Sequence, residues 1–417
     1  MPSTCARFSL IVAAIALLLT IALQAPAQTF QVIHTFTGGG DGASPQAGLI
    51  ADRAGNLYGT ATAGGMTGGN CPSQGCGTVF RLKSSGGGWI LTPLYQFQGG
   101  TDGYYPQARL VFGANGWLYG TTVFGGGNQC HNFSCGTAFK LTSRPTVCRS
   151  VQCPWTETVI HRFAPPPDAG NPSGGPLVFD PAGNLYGIAG GGCCEEGVVY
   201  ELTPSGGGWS ENVIYDFTND NPLSGVILDP AGNLYGTDMG AFGYGGVYQL
   251  TYSGSSWSRH QLYSILNTPE DGYLALGGLV QDGSGNLYGT TTQSGRRDGG
   301  TVFELSAGSW TYGVQYALDG SLGGGGPEES LAMDAAGNLY GTTYSEGAYT
   351  KGSVFKLSPS PGGWIYTDLH DFTGGSDGAI PISNVVIDAQ GNLYGTTSEG
   401  GSGPCSHGCG VVWEITP

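Results

Sequence analysis

A Leu-Tyr-Gly segment recurs seven times in this sequence and is its strongest structural signal. Six copies begin with Asn and one begins with Trp. The seven tyrosines are Tyr58, Tyr119, Tyr186, Tyr235, Tyr288, Tyr340 and Tyr394. They span 336 residues, which gives a mean repeat of 56 residues. Repeats of this length are typical of solenoids, propellers and related arrays.

Four strands are predicted in each repeat. The first is a short apolar run such as residues 226–228, and runs without alternation indicate strands buried on both faces. An Asp-x-x-Gly turn follows in six repeats, where Asp caps the turn and Gly supplies positive φ. The Leu-Tyr-Gly segment is the second strand, and a Gly-Thr-Val-Phe-x-Leu run such as residues 300–305 is the third.

The predicted fourth strand carries a Trp eight residues before an apolar residue. This even offset predicts that both side chains lie on one face of the strand. The six pairs are Trp89/Phe97, Trp155/Phe163, Trp209/Phe217, Trp257/Ile265, Trp310/Leu318 and Trp364/Phe372.

The seventh fourth strand is displaced to the N-terminal end of the predicted mature chain. It ends at Phe36, and the Trp position eight residues earlier is occupied by Gln28. We therefore predict an all-β, seven-bladed β-propeller of four-stranded blades, closed by a strand at about residues 30–36 that joins the C-terminal blade. An open β-solenoid is the alternative, but its coils are usually shorter and it would not explain the displaced strand.

The composition supports a folded, acidic β protein. Gly and Pro make up 78 and 24 of 417 residues, yet 39% of residues are hydrophobic and 11% aromatic, which is enough to build a core. Thirty acidic residues face 14 basic ones, a formal charge of −16. We expect no nucleic-acid partner and no anionic membrane surface, since both favour basic patches.

The N-terminal segment has the pattern of a secretory signal. Arg7 precedes an apolar run over residues 8–23, and Ala25-Pro26-Ala27 matches an A-x-A cleavage site. We predict a signal peptide at residues 1–27 and a single propeller domain at residues 28–417. The mature protein is expected to be a secreted, periplasmic or extracellular monomer without membrane insertion.

Ten cysteines of the predicted mature chain form five close pairs, which in an exported protein indicates disulfides. Bonds across such short loops would rigidify individual loops rather than the whole chain. Two alternatives stay open. Zinc could bind, because His131 and His407 lie inside cysteine pairs. The adjacent cysteines Cys193 and Cys194 could also be reduced rather than bonded to each other. The pairs are Cys71/Cys76, Cys130/Cys135, Cys148/Cys153, Cys193/Cys194 and Cys405/Cys409.

The whole mature chain resembles the GloVer tandem-repeat family of "choice-of-anchor" bacterial surface and exported proteins. The resemblance rests on the Gly-Asn-Leu-Tyr-Gly-Thr and Gly-Thr-Val-Phe-x-Leu runs, and on Asp-Gly-x-x-Pro connectors such as residues 377–381. It implies an exported repeat protein with no established activity.

Binding is expected on the face formed by the second-to-third and fourth-to-first loops, which holds four of the five cysteine pairs. Variable loops on a rigid scaffold are where function concentrates. The predicted first strands are nearly free of titratable residues. The exceptions are Arg109 and Glu329, which lie at the starts of two of these strands. Tyr104, Tyr105 and Tyr244 lie in loops of this face and could stack on sugars.

Other polar residues are assigned structural roles. His34, His161 and His370 share a fourth-strand position with Tyr in the other repeats, which indicates a packing or hydrogen-bonding position. No cofactor is predicted. The acidic loop stretches could offer oxygen ligands to structural calcium, or they are simply solvated loop charges. Those stretches contain Glu195, Glu196, Glu270, Asp271, Glu328 and Glu329.

Three functions are consistent with these features. The first is a non-catalytic exported propeller that binds a glycan or a protein through its disulfide-braced, loop-rich face. The second is a structural component of a cell surface or matrix. The third is a propeller enzyme, a lyase or hydrolase acting on a polysaccharide or cyclic ester, which rests on analogy of fold. No nucleophile–base motif, phosphate loop or dinucleotide fingerprint is present.

Overall fold

A computed structural model describes residues 28–127, 129–130, 133–143, 155–165, 169–172, 175–190, 197–218, 220–240, 243–266, 268, 271–293, 298–320, 326–345 and 347–417. The described residues form seven four-stranded antiparallel sheets arranged in a ring, a β-propeller. The predicted fold is therefore confirmed. The predicted signal peptide, residues 1–27, lies outside the described residues and stays a prediction. Among the described residues, no helix is long and apolar enough to cross a membrane.

The blades are numbered in the chain order of their first strands. The first strands are Ile50–Ala51, Val111–Phe112, Val178–Phe179, Ile227–Leu228, Val280–Gln281, Ala332–Met333 and Val386–Ile387. The second strands are Leu57–Ala61, Leu118–Thr122, Leu185–Ala189, Leu234–Asp238, Leu287–Thr291, Leu339–Thr343 and Leu393–Thr397. The third strands are Thr78–Ser85, Thr137–Thr142, Val198–Ser205, Gly246–Tyr252, Thr301–Ser306, Ser353–Ser360 and Val411–Thr416.

Six fourth strands follow their third strands directly in the chain. They are Gly88–Gln96, Thr156–Arg162, Gly208–Asp216, Trp257–Ser264, Thr311–Ala317 and Gly363–Asp371. The seventh is the N-terminal strand Thr29–Thr35, which pairs antiparallel with Val411–Thr416. An additional short hairpin, Gln129–Cys130 with Phe133–Ser134, lies in the second-to-third loop of blade 2.

The glycine of each Leu-Tyr-Gly segment is required by close packing inside the blade. Gly59 lies opposite Phe80 in the ladder between the second and third strands of blade 1. A Cβ at Gly59 would lie 2.7 Å from the Phe80 ring and 2.8 Å from Leu49. The same glycine meets an aromatic ring of the third strand in every blade, so the motif is set by packing rather than by a turn.

The core consists of seven buried clusters, one at each boundary between blades. At six boundaries the repeat tyrosine meets the Trp of the next blade, with ring centroids 5.7–6.3 Å apart. The pair Tyr394–Trp89 spans the junction between blades 7 and 1. The remaining boundary lies between blades 6 and 7, where Gln28 occupies the position of the Trp. There the repeat tyrosine is Tyr340, and the Lys356 ammonium lies 5.5 Å from the centre of its ring.

The expectation that each Trp and its apolar partner share one strand face is wrong. Every fourth strand contains a one-residue irregularity in its register, which in blade 1 leaves Leu94 unpaired between Pro93 and Tyr95. A β-bulge of this kind interrupts the alternation of side chains. Trp89 therefore packs toward blade 7, whereas Phe97 packs on Phe139 of blade 2 with ring centroids 5.1 Å apart.

The repeated Asp is a turn device, as predicted. In blade 4, Asp229 Oδ1 accepts hydrogen bonds from the backbone amides of Ala231 and Asn233, each at 2.8 Å. Its Oδ2 accepts from the Asn233 side chain at 2.8 Å and from the Tyr235 hydroxyl at 3.0 Å. Burial acts to raise the pKa of Asp229, but these hydrogen bonds outweigh it and hold the pKa below its ordinary value.

We expect Asp229→Ala to lower the free energy of unfolding by about 1–3 kcal/mol, because it removes the acceptor of four hydrogen bonds. Since the folded pKa is depressed, the contribution is fully present above the unfolded pKa of about 4. It is lost as the pH falls through the lower folded pKa. Urea denaturation at pH 7 and at lower pH values measures both effects.

The matched control is Asp216→Ala, since Asp216 is exposed at the end of a fourth strand and its side chain makes no hydrogen bond among the described residues. Equal losses of stability in the two variants would contradict the assigned role of the turn.

Candidate functional site

The two faces of the ring differ in the length of their loops. In blade 1 the second-to-third loop covers residues 62–77, whereas the turn between the third and fourth strands covers only residues 86–87. The connectors from each fourth strand to the next first strand, such as residues 97–110, lie on the same face as the long loops. We call this side the loop-rich face.

The connectors contain a backbone feature that the sequence analysis missed. Five non-glycine residues at equivalent connector positions have positive φ: Ser44, Tyr105, Asn171, Leu274 and Ile380. This conformation is costly for side-chain-bearing residues, above all for β-branched Ile. Only an alignment of the connectors with one another could have pointed to the position.

Each of these residues joins two blades by hydrogen bonds. The Tyr105 amide donates to the carbonyl of Cys76 in the preceding blade at 3.1 Å. The Tyr105 carbonyl accepts from the Val123 amide of its own blade at 3.1 Å. The ring geometry thus holds the connector in a conformation that its sequence does not favour.

Disulfides brace the loops that these connectors contact. Cys71–Cys76 and Cys405–Cys409 are bonded, and Cys135 is also disulfide-bonded. The carbonyls of Cys76, Cys135 and Cys409 accept the amides of Tyr105, Asn171 and Ser44. The side chain of Cys130, and residues Cys148, Cys153, Cys193 and Cys194, lie outside the described residues.

A cavity of about 260 Å³ lies on the ring axis, lined by connector residues from all seven blades. Gln46, Gln107, Arg109, Glu328, Glu329 and Asn384 contribute polar side chains to it. Glycines leave room for them: a Cβ at Gly48 would lie 1.5 Å from Asn384 Oδ1. Arg109 and Glu329, both predicted from the sequence, come from nearly opposite blades of the ring and line the same cavity.

The electrostatics of the cavity are set by burial and by three charged groups. Burial lowers the pKa of Arg109, and the charge of Glu329 opposes that shift. Burial raises the pKa of Glu329 to about 7; Arg109 limits the rise and Glu328 adds to it. Burial also raises the pKa of Glu328. Glu329 is therefore divided between its two protonation states near neutral pH.

The predicted tyrosines fall into two separate groups. Tyr104 and Tyr105 form an aromatic cluster with Phe124, whose three ring centroids are 5.3–5.8 Å apart. Tyr104 and Phe124 are held together by paired backbone hydrogen bonds of 2.9 and 3.2 Å. Tyr244 lies instead beside Tyr273, at 6.0 Å. Phe124 was not singled out from the sequence, because it lies in a different loop, 20 residues after Tyr104.

The shared His/Tyr position in the fourth strand is a hydrogen-bonding position. His34 Nε2 lies 3.2 Å from Asp41 Oδ2, and His370 lies 3.3 Å from Asp377. In blade 4 the equivalent Tyr263 donates to Asp271 at 2.8 Å. Each Asp also accepts a backbone amide at the start of its connector, so the position supports the connector and needs no catalytic role.

The described residues contain no preformed group of metal ligands. Within the part of the chain that the structure describes, no three His, Cys, Asp or Glu side chains are grouped to hold a metal ion. Glu195, Glu196 and Glu270 lie outside that part. Structural calcium therefore stays a prediction.

A family model described as the Gloeobacter/Verrucomicrobia repeat matches residues 20–238 and residues 222–417. The chain belongs to this repeat family. The match confirms the resemblance drawn from the Leu-Tyr-Gly and Gly-Thr-Val-Phe runs. No curated protein matches this Gloeobacter/Verrucomicrobia repeat chain.

Several solved structures are similar to this repeat protein. A candidate 6-phosphogluconolactonase of Bacteroides uniformis is 13% identical, with a TM-score of 0.48 over 85% of this chain and 90% of its own. A gluconolactonase of Xanthomonas campestris is 12% identical, with a TM-score of 0.44 over 77% and 88%. A protein of unknown function from Dyadobacter fermentans is 12% identical, with a TM-score of 0.45 over 82% and 98%. At these identities the likenesses carry no information on activity.

Replacing Cys71 and Cys76 by serine should loosen residues 62–77 while leaving the ring folded, because the bond closes only a short loop. We expect the Tyr105 amide, which donates to Cys76, to exchange with solvent about tenfold faster or more. Hydrogen exchange followed by mass spectrometry measures this change.

The control is the Ile380 amide in the same protein. It occupies the equivalent connector position but donates to the carbonyl of Lys351. Its exchange should not change. Unchanged exchange at Tyr105 would show that the disulfide does not support the connector.

Proposed function

We propose that this protein is an exported, non-catalytic propeller that binds a glycan through its loop-rich face. The cluster of Tyr104, Tyr105 and Phe124 serves as the stacking platform for a sugar ring. The observation that carries the proposal is the support of this cluster: the amide of Tyr105 is tied to the disulfide loop 71–76, and Tyr104 is tied to Phe124.

Rigid support favours binding, because little side-chain and loop freedom is lost when a ligand is held. Tyrosine combines a large apolar ring with a hydroxyl, which suits the alternating C–H and O–H groups of a sugar. Polar side chains of Gln107 and Arg109 follow on the same connector, at the edge of the axial cavity. Stacking and hydrogen-bonding groups are thus placed side by side.

The exposed apolar residues favour a glycan over a protein ligand. Tyr244, Tyr344 and Tyr349 are exposed in loops of this face at 36%, 40% and 56%. Exposed aliphatic residues of comparable size are scattered, such as Met66 and Leu266. A protein interface would be expected to have a contiguous apolar centre.

We expect Tyr104→Ala to weaken glycan binding about tenfold or more, because it removes one ring of the platform and its contact with Phe124. A glycan array probed with the mature chain identifies the ligand, and calorimetry with the best oligosaccharide gives the affinity. The control is Tyr252→Ala. This substitution also removes a tyrosine ring, but Tyr252 is 55% exposed at the end of a third strand, on the face opposite the loop-rich face. Absence of any glycan ligand, or equal effects of the two substitutions, would refute the proposal.

A second candidate function, a polysaccharide- or lactone-cleaving enzyme, is favoured by one observation. Glu329 has a pKa of about 7 and shares a cavity with Arg109, which is the arrangement of a general acid–base beside a charge-stabilising group. If this candidate is correct, the protein should convert at least one substrate in a panel of polysaccharides and lactones, and Glu329→Gln should abolish that turnover. Chromatography of the reaction mixtures detects the products. If no substrate of the panel is converted, these reactions are excluded.

A further inference from the structure

We propose that the axial cavity is a subsite for one neutral sugar ring at the end of a glycan chain. This inference rests on the proposed glycan-binding function and adds to it a preference for chain ends. The aromatic cluster would hold the sugars behind the terminal one.

The shape of the cavity limits what can enter. Described connector residues from all seven blades line it, so it lies where the blades converge on the ring axis. A ligand that arrives along this axis meets residues of every blade. The end of a linear chain can do so, whereas an internal segment would have to enter sideways through the ring.

The donors and acceptors of the cavity match a polyhydroxylated ligand. Arg109 offers five N–H donors and has no hydrogen-bond or ion-pair partner among the described residues. Glu328 and Glu329 offer carboxylate acceptors, and the amide of Gln107 donates to Gln46 at 2.9 Å. Polar groups that lack partners are costly to bury, so a ligand that both donates and accepts is favoured.

The charge balance favours a neutral ligand. Arg109 carries one positive charge and interacts with Glu329, whose pKa of about 7 leaves it partly protonated, and burial also raises the pKa of Glu328. A strongly anionic ligand would meet Glu328 and Glu329 as well as Arg109. A strongly cationic one would meet Arg109. A hydroxyl-rich ring avoids both penalties.

The cavity and the aromatic cluster are joined by one short segment. Tyr105 and Arg109 are four residues apart, and between them Pro106 and Ala108 are buried. Buried Pro and Ala leave little freedom of backbone or side chain. The position of the cavity relative to the cluster is therefore well defined, as a two-part site for consecutive sugars requires.

The test uses the mature chain and four neutral monosaccharides, glucose, galactose, mannose and xylose, followed by saturation-transfer NMR. At least one should bind, and Arg109→Gln should weaken that binding about tenfold or more. Tyr104→Ala should change the affinity for the monosaccharide less than about twofold, because a single sugar ring would occupy the cavity without contacting the aromatic cluster. The control for Arg109→Gln is Arg53→Gln, which alters an exposed arginine in the turn of blade 1 on the other face.

Circular dichroism and melting temperature establish that Arg109→Gln is folded, and Glu328→Gln provides a second cavity variant if it is not. Oligosaccharide binding that needs Tyr104 but not Arg109 would overturn this inference and leave the proposed function intact. Tighter binding of glucuronate or galacturonate than of the neutral sugars would also overturn it. Absence of all glycan binding would refute the proposed function itself.

Discussion

The pairing of the N-terminal strand Thr29–Thr35 with Val411–Thr416 is the interaction on which the rest of the structure depends. Each blade is apolar on both faces, and it can bury both only if it has a neighbour on each side. An open array of seven blades would leave two such faces and two strand edges exposed. Pairing the two ends of the described chain removes them and lets Tyr394 of blade 7 pack on Trp89 of blade 1.

Closure also divides the molecule into a uniform side and a variable side. On the uniform side six Asp turns repeat the same hydrogen bonds from the backbone and side chain of Asn. On the loop-rich face the second-to-third loops differ in length, and two of them carry the disulfides Cys71–Cys76 and Cys405–Cys409. The strain of the left-handed connector residues, such as Tyr105 and Ile380, is offset there by hydrogen bonds to neighbouring blades. A fixed frame thereby presents variable side chains, which suits recognition.

The axial cavity is a consequence of the same ring. Seven first strands cannot meet at the axis without leaving space between them. Small residues beside this space, such as Gly48 and Gly278, leave room for the polar side chains of Asn384 and Ser330. Arg109, Glu328 and Glu329 are the charged residues among those that line it. Their charges interact across the cavity, and burial brings the pKa of Glu329 to about 7.

The sequence by itself determined the seven repeats, the four strands in each, the displaced closing strand, the turn role of Asp229 and its equivalents, and two of the bonded cysteine pairs. These follow from local patterns that recur with a fixed period. The tertiary structure alone decided that a bulge at Leu94 turns Trp89 and Phe97 to different blades, that Phe124 joins Tyr104, and that Arg109 and Glu329 share a cavity. The bulge recurs in every fourth strand, but the even spacing between Trp and its apolar partner does not reveal it. The other two features depend on contacts between separate loops and blades, which the geometry of the closed ring sets and no local pattern encodes.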